Sequence, residues 1–347
     1  MGFLKKKGVK LSPKVYFIDA LGAMAQGLFA SLLIGTILKT IGQQFGLNYL
    51  IEIGNFASSV SGAAMAASIG HALGAPALVL FSLLTVGYSA NSLGGAGGPL
   101  AVYVITIFAA EAGKLVSKET KLDIIVTPIV TILVGCLLSY AIAPALGKAA
   151  TSVGDAIVWA TNLQPLWMGV IVSVLVGIAL TLPISSAAIC AALSIHGLAG
   201  GAALAGCCAQ MIGFAVMSYT ANGIGGFFAQ GIGTSMLQMG NIVKKPIIWL
   251  PPIITSAITG PLATCLFKLE VSGVSAGMGT CGLVGPIGAY TEWINNISLG
   301  TKIGITGFDW FGLALICFVL PAILTILIAN LFKQSGLIED SDLKLDL

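Results

Sequence analysis

The chain has 347 residues, of which 57% are hydrophobic and only 8% are charged, and its mean hydropathy is +1.01. Soluble domains carry about 25% charged residues, so the composition excludes an ordinary soluble protein and predicts a polytopic membrane protein. The net charge of +3 does not indicate nucleic-acid binding, and all 16 basic residues are lysines. A bidentate arginine clamp for a phosphate or a carboxylate is therefore excluded.

Apolar runs of about 20 residues predict the membrane-spanning helices, because that length crosses the hydrocarbon core. A basic segment, residues 1–14, precedes the first run and is expected in the cytoplasm by the positive-inside rule. The predicted spans lie near 15–41, 50–70, 73–91, 99–116, 124–146, 166–192, 196–219, 247–268 and 308–332. The sequence thus predicts an all-α polytopic membrane protein with about nine or ten transmembrane helices. Lysines after the fourth and last spans predict that both termini are cytoplasmic.

Breaks in the apolar pattern suggest how the chain is divided. An N-terminal membrane scaffold domain is predicted at 15–146 and a transport domain at 166–332. Residues 147–165 mix apolar and polar side chains and end at a proline, which favours an interfacial amphipathic helix as the linker. The acidic cytoplasmic tail, 333–347, is expected to be disordered from Gln334 onwards.

Two glycine-rich, polar stretches, 221–243 and 270–305, are unsuited to lipid-facing helices. Irregular backbone at membrane depth survives only where protein or a water-filled cavity satisfies it, so we expect re-entrant hairpins in both. The first stretch and the hydroxyl-rich break before it predict a substrate site. The candidate substrate-binding residues are Thr181, Ser185, Ser186, His196, Thr220, Asn222, Gly223 and Glu292.

Three of these residues leave alternatives open. His196 is either an interfacial histidine bonded to a carbonyl, or a functional residue that is a ligand for a sugar hydroxyl or a proton carrier. Asn222 precedes a glycine, which is a turn signal, but the same turn offers groups that bind a polar ligand. Glu292 is either a glutamate beside an interfacial tryptophan, or a carboxylate that accepts hydroxyls and acts as a base. No cofactor and no metal site is predicted, because no ligand spacing supports one.

Several motifs in the second half of the chain resemble enzyme IIC, the membrane subunit of the bacterial phosphoenolpyruvate-dependent sugar phosphotransferase system. Ala179 to Ala188, with Thr181, Pro183, Ser185 and Ser186, is similar to the sugar-binding break of the fructose-like and glucose-superfamily members. The segment from Lys245 to Gly260 resembles the helix that follows in that family. More narrowly, the chain is similar to a stand-alone branch described either as sugar permeases or as membrane regulators of toxin expression.

The resemblance implies an enzyme IIC fold in the bacterial plasma membrane, usually as a homodimer. It implies a sugar or sugar-like substrate, the lipid bilayer as surroundings, and separate cytoplasmic IIB and IIA proteins as phosphorylating partners. Tyr219-Thr220-Ala-Asn222-Gly223 stands where the family has its threonine–glutamate catalytic motif. An amide binds hydroxyls but cannot act as a general base, so enzymatic coupling stays open at this point. Either Glu292 is the catalytic base, or the protein binds a solute without phosphorylating it.

Three functions therefore compete. The first is an enzyme IIC-type permease that translocates a sugar or sugar-like solute. The second is a membrane sensor or regulator that keeps the fold without transport, and the third is an ion-coupled carrier of a non-sugar solute that uses Glu292 or His196.

Overall fold

The computed structural model describes residues 6–9 and 12–345, and the regular secondary structure within these is all helical, with no β-strand. The predicted all-α architecture is therefore confirmed. Lys5, Lys10 and Asp346, which belong to the predicted basic and acidic termini, lie outside the described residues. The chain divides into two compact units, 1–150 and 151–347, and the division falls inside the stretch predicted as a linker.

The N-terminal unit is built from six helices among its described residues, the last of which continues beyond it. They are α1 (Val15–Phe45), α2 (Asn48–Ser59), α3 (Ser61–Ala72), α4 (Ala77–Gly94), α5 (Gly98–Val116) and α6 (Asp123–Thr161). The helices approach closely where glycines face each other. A Cβ at Gly62 of α3 would lie 2.4 Å from the carbonyl oxygen of Gly87 of α4. Small residues hold helices together in lipid through such approaches.

One ion pair of this unit follows helical spacing. Glu111 and Lys114 lie three residues apart on α5, and Lys114 Nζ is 3.0 Å from Glu111 Oε2. Lys114 is buried and also donates to the carbonyl of Leu73, which joins α5 to the end of α3.

The C-terminal unit contains the remaining helices. They are α7 (Pro165–Thr181), α8 (Ser186–Ala192), α9 (Gly197–Met217), α10 (Tyr219–Phe228), α11 (Met239–Lys244), α12 (Pro246–Leu266), α13 (Val284–Ser298) and α14 (Gly307–Gln334). Helix α9 is the core of this unit and packs against α7, α12 and α14. A Cβ at Gly206 of α9 would lie 1.8 Å from the carbonyl oxygen of Ser173 on α7, so only glycine permits this contact.

Six helical stretches of the described chain are long and apolar enough to cross a membrane. They are Val15–Phe45, Ala77–Val116, Asp123–Thr161, Gly197–Met217, Pro246–Leu266 and Gly307–Gln334, and Pro165–Thr181 is a shorter apolar helix. The stretch Ala77–Val116 is interrupted at Gly95–Gly97, which gives the two predicted spans near 73–91 and 99–116. The chain is thus a multi-pass membrane protein.

Two predicted spans differ from the observed helices. The span near 50–70 is interrupted at Val60, between α2 and α3. The span near 166–192 ends at Thr181, where Leu182 turns to extended backbone before α8 begins. The helix α6 also runs without interruption through the first part of the predicted linker, up to Thr161. The predicted linker therefore begins as part of α6, and its interfacial, amphipathic character stays a prediction.

The expectation of a disordered tail is wrong. The chain after α14 turns at Gly336 and forms a short 3₁₀ helix, Asp340–Leu343, on the C-terminal unit. Ile338 is 1% exposed and Leu343 is fully buried. Acidic composition indicated disorder, but two apolar anchors and paired charges hold this stretch in place.

Candidate functional site

The stretch between α9 and α12 is an interrupted helical hairpin. Helix α10 is interrupted at Gly223, whose φ of 60° and ψ of −160° are accessible only to glycine. A π-helical turn follows at Ala229–Gly233, and Thr234 is extended. The Thr234 hydroxyl accepts a hydrogen bond from the Met236 amide and starts a 3₁₀ turn, Ser235–Gln238. The regular helical backbone of this stretch is therefore broken at Gly223 and at Thr234.

Four carboxamide side chains meet along this hairpin, and we call Asn222, Gln230, Gln238 and Asn241 the carboxamide cluster. Asn241 Nδ2 donates to Gln238 Oε1 at 2.8 Å, and Gln238 Nε2 donates to Gln230 Oε1 at 2.9 Å. Gln230 in turn donates to the hydroxyl of Ser218 at 2.8 Å. Gln230 and Gln238 are fully buried. The cluster is uncharged and presents both donors and acceptors.

The chain's own C-terminal segment, residues 337–345, lies on this cluster. Asn222 Nδ2 donates to the Leu343 carbonyl at 2.8 Å, and its Oδ1 accepts from the Leu345 amide at 2.8 Å. Gln238 Nε2 donates to the same Leu343 carbonyl at 3.0 Å. Asn241 Nδ2 donates to the Lys344 carbonyl at 2.9 Å. The cluster therefore recognises the backbone of the segment.

Ion pairs flank these contacts. Lys245 Nζ lies 2.6 Å from Asp342 Oδ2, and Lys333 pairs with Asp340. Burial alone would raise the pKa of the Asp342 carboxyl. Hydrogen bonds from Lys245 and from the Glu339 backbone amide outweigh that effect and hold its pKa below the ordinary value. The carboxylate is therefore ionised near neutral pH.

A second polar group, the hydroxyl cluster, lies deeper in the C-terminal unit and consists of Thr181, Gln210, Ser235 and Ser256. The Thr181 and Ser235 hydroxyls are 2.8 Å apart, and Gln210 Oε1 is 3.3 Å from Thr181. All four residues are fully buried. Gln210 also accepts from the Trp249 indole at 2.9 Å. Ser235 and Gln238 belong to one 3₁₀ turn, so the two clusters are neighbours along the chain.

The serines and the histidine predicted as ligands have local partners instead. Ser185 caps α8 by accepting from the Ala188 amide, and buried Ser186 donates to the Gly277 carbonyl at 2.7 Å. His196 is exposed at the start of α9, with Nδ1 2.7 Å from the Ser194 carbonyl oxygen. The carbonyl-bonded alternative describes His196 as it stands. None of these three contacts involves the carboxamide cluster.

Thr220 and Gly223 flank Asn222 on α10 and are exposed. Gly223 shapes the backbone, whereas Asn222 makes the contacts. Of the predicted residues, Thr181 thus belongs to the hydroxyl cluster and Asn222 to the carboxamide cluster.

Glu292 lies on α13 and has no hydrogen bond or ion pair to any described residue. Its neighbour Trp293 lines a cavity of about 390 Å³ together with Lys268, Glu270, Asn296, Thr301 and Lys302. Lys268 follows the end of α12, whereas Lys245 precedes its start. A helix of this length spans about 30 Å, so Glu292 lies far from the carboxamide cluster.

Four residues of the two clusters were not predicted from the sequence, and these are Gln210, Gln230, Gln238 and Asn241. The signal was present, because a glutamine inside an apolar helix also needs buried hydrogen-bond partners. The residues described contain no group of three or more His, Cys, Asp or Glu side chains that could hold a metal ion. The site's chemistry is hydrogen bonding to uncharged polar groups.

Comparison with known proteins agrees with this architecture. A sequence profile of the family described as phosphotransferase system, EIIC, matches residues 18–345. No curated protein and no solved structure showed a match. The fold is that of a helical multi-pass membrane protein whose C-terminal unit contains the carboxamide cluster and the hydroxyl cluster. The match covers nearly the whole chain, including the C-terminal segment, and the chain therefore belongs to the phosphotransferase system EIIC family, the membrane component of sugar phosphotransferase systems.

Proposed function

We propose that the chain is a sugar permease of the bacterial plasma membrane that binds a sugar or polyol at the carboxamide cluster. The observation that carries this proposal is the convergence of Gln238 and Asn241 with Asn222, the residue at the family's catalytic position. Carboxamides offer a donor and an acceptor each, which is what neutral hydroxyl groups require. The buried hydroxyl cluster, which includes Thr181 and Gln210, supplies further polar groups inside the C-terminal unit.

The cluster binds the solute and does not supply a general base. Asn222 and its carboxamide neighbours cannot take up a proton at neutral pH. Glu292, the other base considered, lies towards the opposite end of α12. Phosphoryl transfer at this site would thus depend on groups from a separate IIB protein, itself phosphorylated by IIA.

We place the carboxamide cluster at the cytoplasmic end of the C-terminal unit, with both chain termini on the same side and a homodimer as the assembly. Lysines favour the cytoplasmic side of a membrane protein. Lys244, Lys245 and Lys333 lie at this end of α12 and α14. In the N-terminal unit, Lys7 pairs with Glu119, so the basic N-terminal segment and the loop after α5 share one end.

Equilibrium binding to the purified full chain in lipid nanodiscs tests the proposal. The ligands are labelled glucose, fructose, mannose, mannitol and sorbitol. Asn222→Ala removes one donor and one acceptor and is expected to weaken binding about tenfold. Asn55→Ala, an exposed asparagine of α2, is the matched control and should bind normally. Absence of binding to every ligand, both by the unmodified chain and by a chain ending at Ser335, would refute the permease proposal.

A membrane sensor is the second candidate function, because the cluster holds a segment that is outside the helical core. A solute that displaced this segment would free it to contact a cytoplasmic partner, and the released segment would signal that the solute is bound. The sensor predicts binding without accumulation in vesicles, whereas the permease predicts both.

A further inference from the structure

The C-terminal segment uses the hydrogen-bonding atoms that a solute would need. Asn222 has one amide donor on Leu343 and its oxygen on Leu345. Gln238 and Asn241 point their amide groups at the same stretch, at 3.0 and 2.9 Å. These contacts reach carbonyl and amide groups of the backbone, which resemble a neutral polar ligand in their donors and acceptors. A sugar hydroxyl and the segment cannot occupy these atoms at once.

Two buried side chains anchor the segment to the C-terminal unit, whereas its charged side chains favour its release into water. Its buried anchors are Ile338 and Leu343. Besides the hydrogen bonds to the carboxamide cluster, the segment makes ion pairs with Lys245 and Lys333, and breaking these pairs costs little free energy when both partners return to water. Glu339, Asp340, Asp342 and Lys344 would keep the released segment hydrated.

We propose that the C-terminal segment is an internal competitor of the solute, so that the carboxamide cluster holds either the segment or a sugar. This inference rests on the proposed function, because it assigns the solute to the same cluster. When the segment is docked, the carboxamide cluster is closed to the solute, and release of the segment opens the cluster.

The competition has a quantitative consequence. When only a fraction of molecules has an open site, the apparent dissociation constant rises by the inverse of that fraction. The segment is tethered directly to α14, so it competes at an effective concentration in the millimolar range. An open fraction of about a tenth would weaken solute binding about tenfold.

Hydrogen–deuterium exchange of the purified full chain measures docking without any solute. The amides of residues 340–345 should be protected in the unmodified chain. Lys245→Gln removes the ion pair to Asp342 and should speed their exchange about two- to fivefold. Lys244→Gln changes the neighbouring exposed lysine, which pairs with no carboxylate among residues 6–9 and 12–345, and should leave exchange unchanged. Equal exchange in all three proteins, at the unprotected rate, would show that the segment does not dock and would overturn the proposal.

Solute binding measures the competition itself. Three proteins are compared with the labelled hexoses and hexitols: the unmodified chain, a chain ending at Ser335, and Asp342→Asn as a variant that keeps the whole segment. The shortened chain is expected to bind at least about tenfold more tightly, with Asp342→Asn in between. A saturating ligand should also raise exchange at 340–345 in the unmodified chain.

The two ideas fail in different ways. Equal dissociation constants in all three proteins would overturn the competition and leave the permease proposal intact. Absence of binding in all three, including the shortened chain, would overturn the permease proposal and the competition together. Binding by the shortened chain alone would support both.

Discussion

Buried carboxamides, rather than charged groups, make the candidate site of this protein. Asn222 could be predicted because Asn-Gly is a turn signal and because the residues around it resemble a motif of the family. Gln230, Gln238 and Asn241 could not be predicted to meet it. Their contacts depend on the kinked path between α10 and α11, and no local pattern in the sequence specifies that path. Glu292 drew attention as an ionisable residue, but its position on α13 separates it from the cluster.

Gln210 offers a direct check on the hydroxyl cluster. Gln210→Leu should cost about 1–3 kcal/mol, because it leaves the Trp249 indole without its acceptor and removes one hydrogen-bond partner of the Thr181 hydroxyl. The apparent melting temperature in detergent, followed by scanning fluorimetry, should fall by several degrees. Gln164→Leu makes the same change at an exposed residue before α7 and should melt like the unmodified chain. Equal melting of the two variants would contradict the assigned network.

The charge of Asp342 predicts how docking depends on pH. Its pKa is lowered in the folded chain, so its contribution is fully present above the ordinary aspartate pKa of about 3.9. The contribution is lost as the pH falls through the lowered value. Exchange protection of residues 340–345, corrected for intrinsic rates, should stay level from pH 7 to about 4 and then decline. Asp342→Asn should be less protected near neutral pH and should lack this part of the decline. An identical decline in Asp342→Asn would contradict the assignment.

Helices could be predicted well where apolar runs were long and uninterrupted. The predicted spans near 196–219, 247–268 and 308–332 correspond to α9, α12 and α14 within a few residues. The break between α2 and α3 was missed because no glycine or proline marks it. Ser58 and Ser59 hydrogen-bond back to carbonyls of their own helix, which is known to bend helices.

Gly223 tests whether the kink in α10 positions Asn222. Gly223→Ala should strain the backbone by about 1–3 kcal/mol, since φ is positive and ψ lies in a region reserved for glycine. Docking of the C-terminal segment should weaken with it, as faster exchange at 340–345. Gly225→Ala is the matched control, because a Cβ at either position meets open space and only Gly223 has a positive φ. Similar exchange in both variants would mean that the kink does not position the amide.

For the whole molecule, the sequence predicted those features that depend on composition, but not those that depend on contacts between residues far apart in the chain. Hydrophobic composition predicted a helical membrane protein, and the resemblance to enzyme IIC is confirmed by the family match. The tail was misjudged because its acidic residues were considered alone. Their partners, Lys245 and Lys333, are supplied by the ends of α12 and α14, and Lys245 is 97 residues away from Asp342.

Uptake of labelled sugars into membrane vesicles bears most directly on the function. The vesicles would contain the unmodified chain, Asn222→Ala or Asn55→Ala, with and without phosphoenolpyruvate and the general phosphotransferase proteins. We predict saturable accumulation of at least one hexose or hexitol by the unmodified chain and by Asn55→Ala, reduced about tenfold in Asn222→Ala. Because Asn222 also holds the C-terminal segment, Asn222→Ala is compared in the full chain and in the chain ending at Ser335. Undiminished uptake by Asn222→Ala in both backgrounds would remove the solute from the carboxamide cluster, and absence of uptake under every condition would contradict the permease.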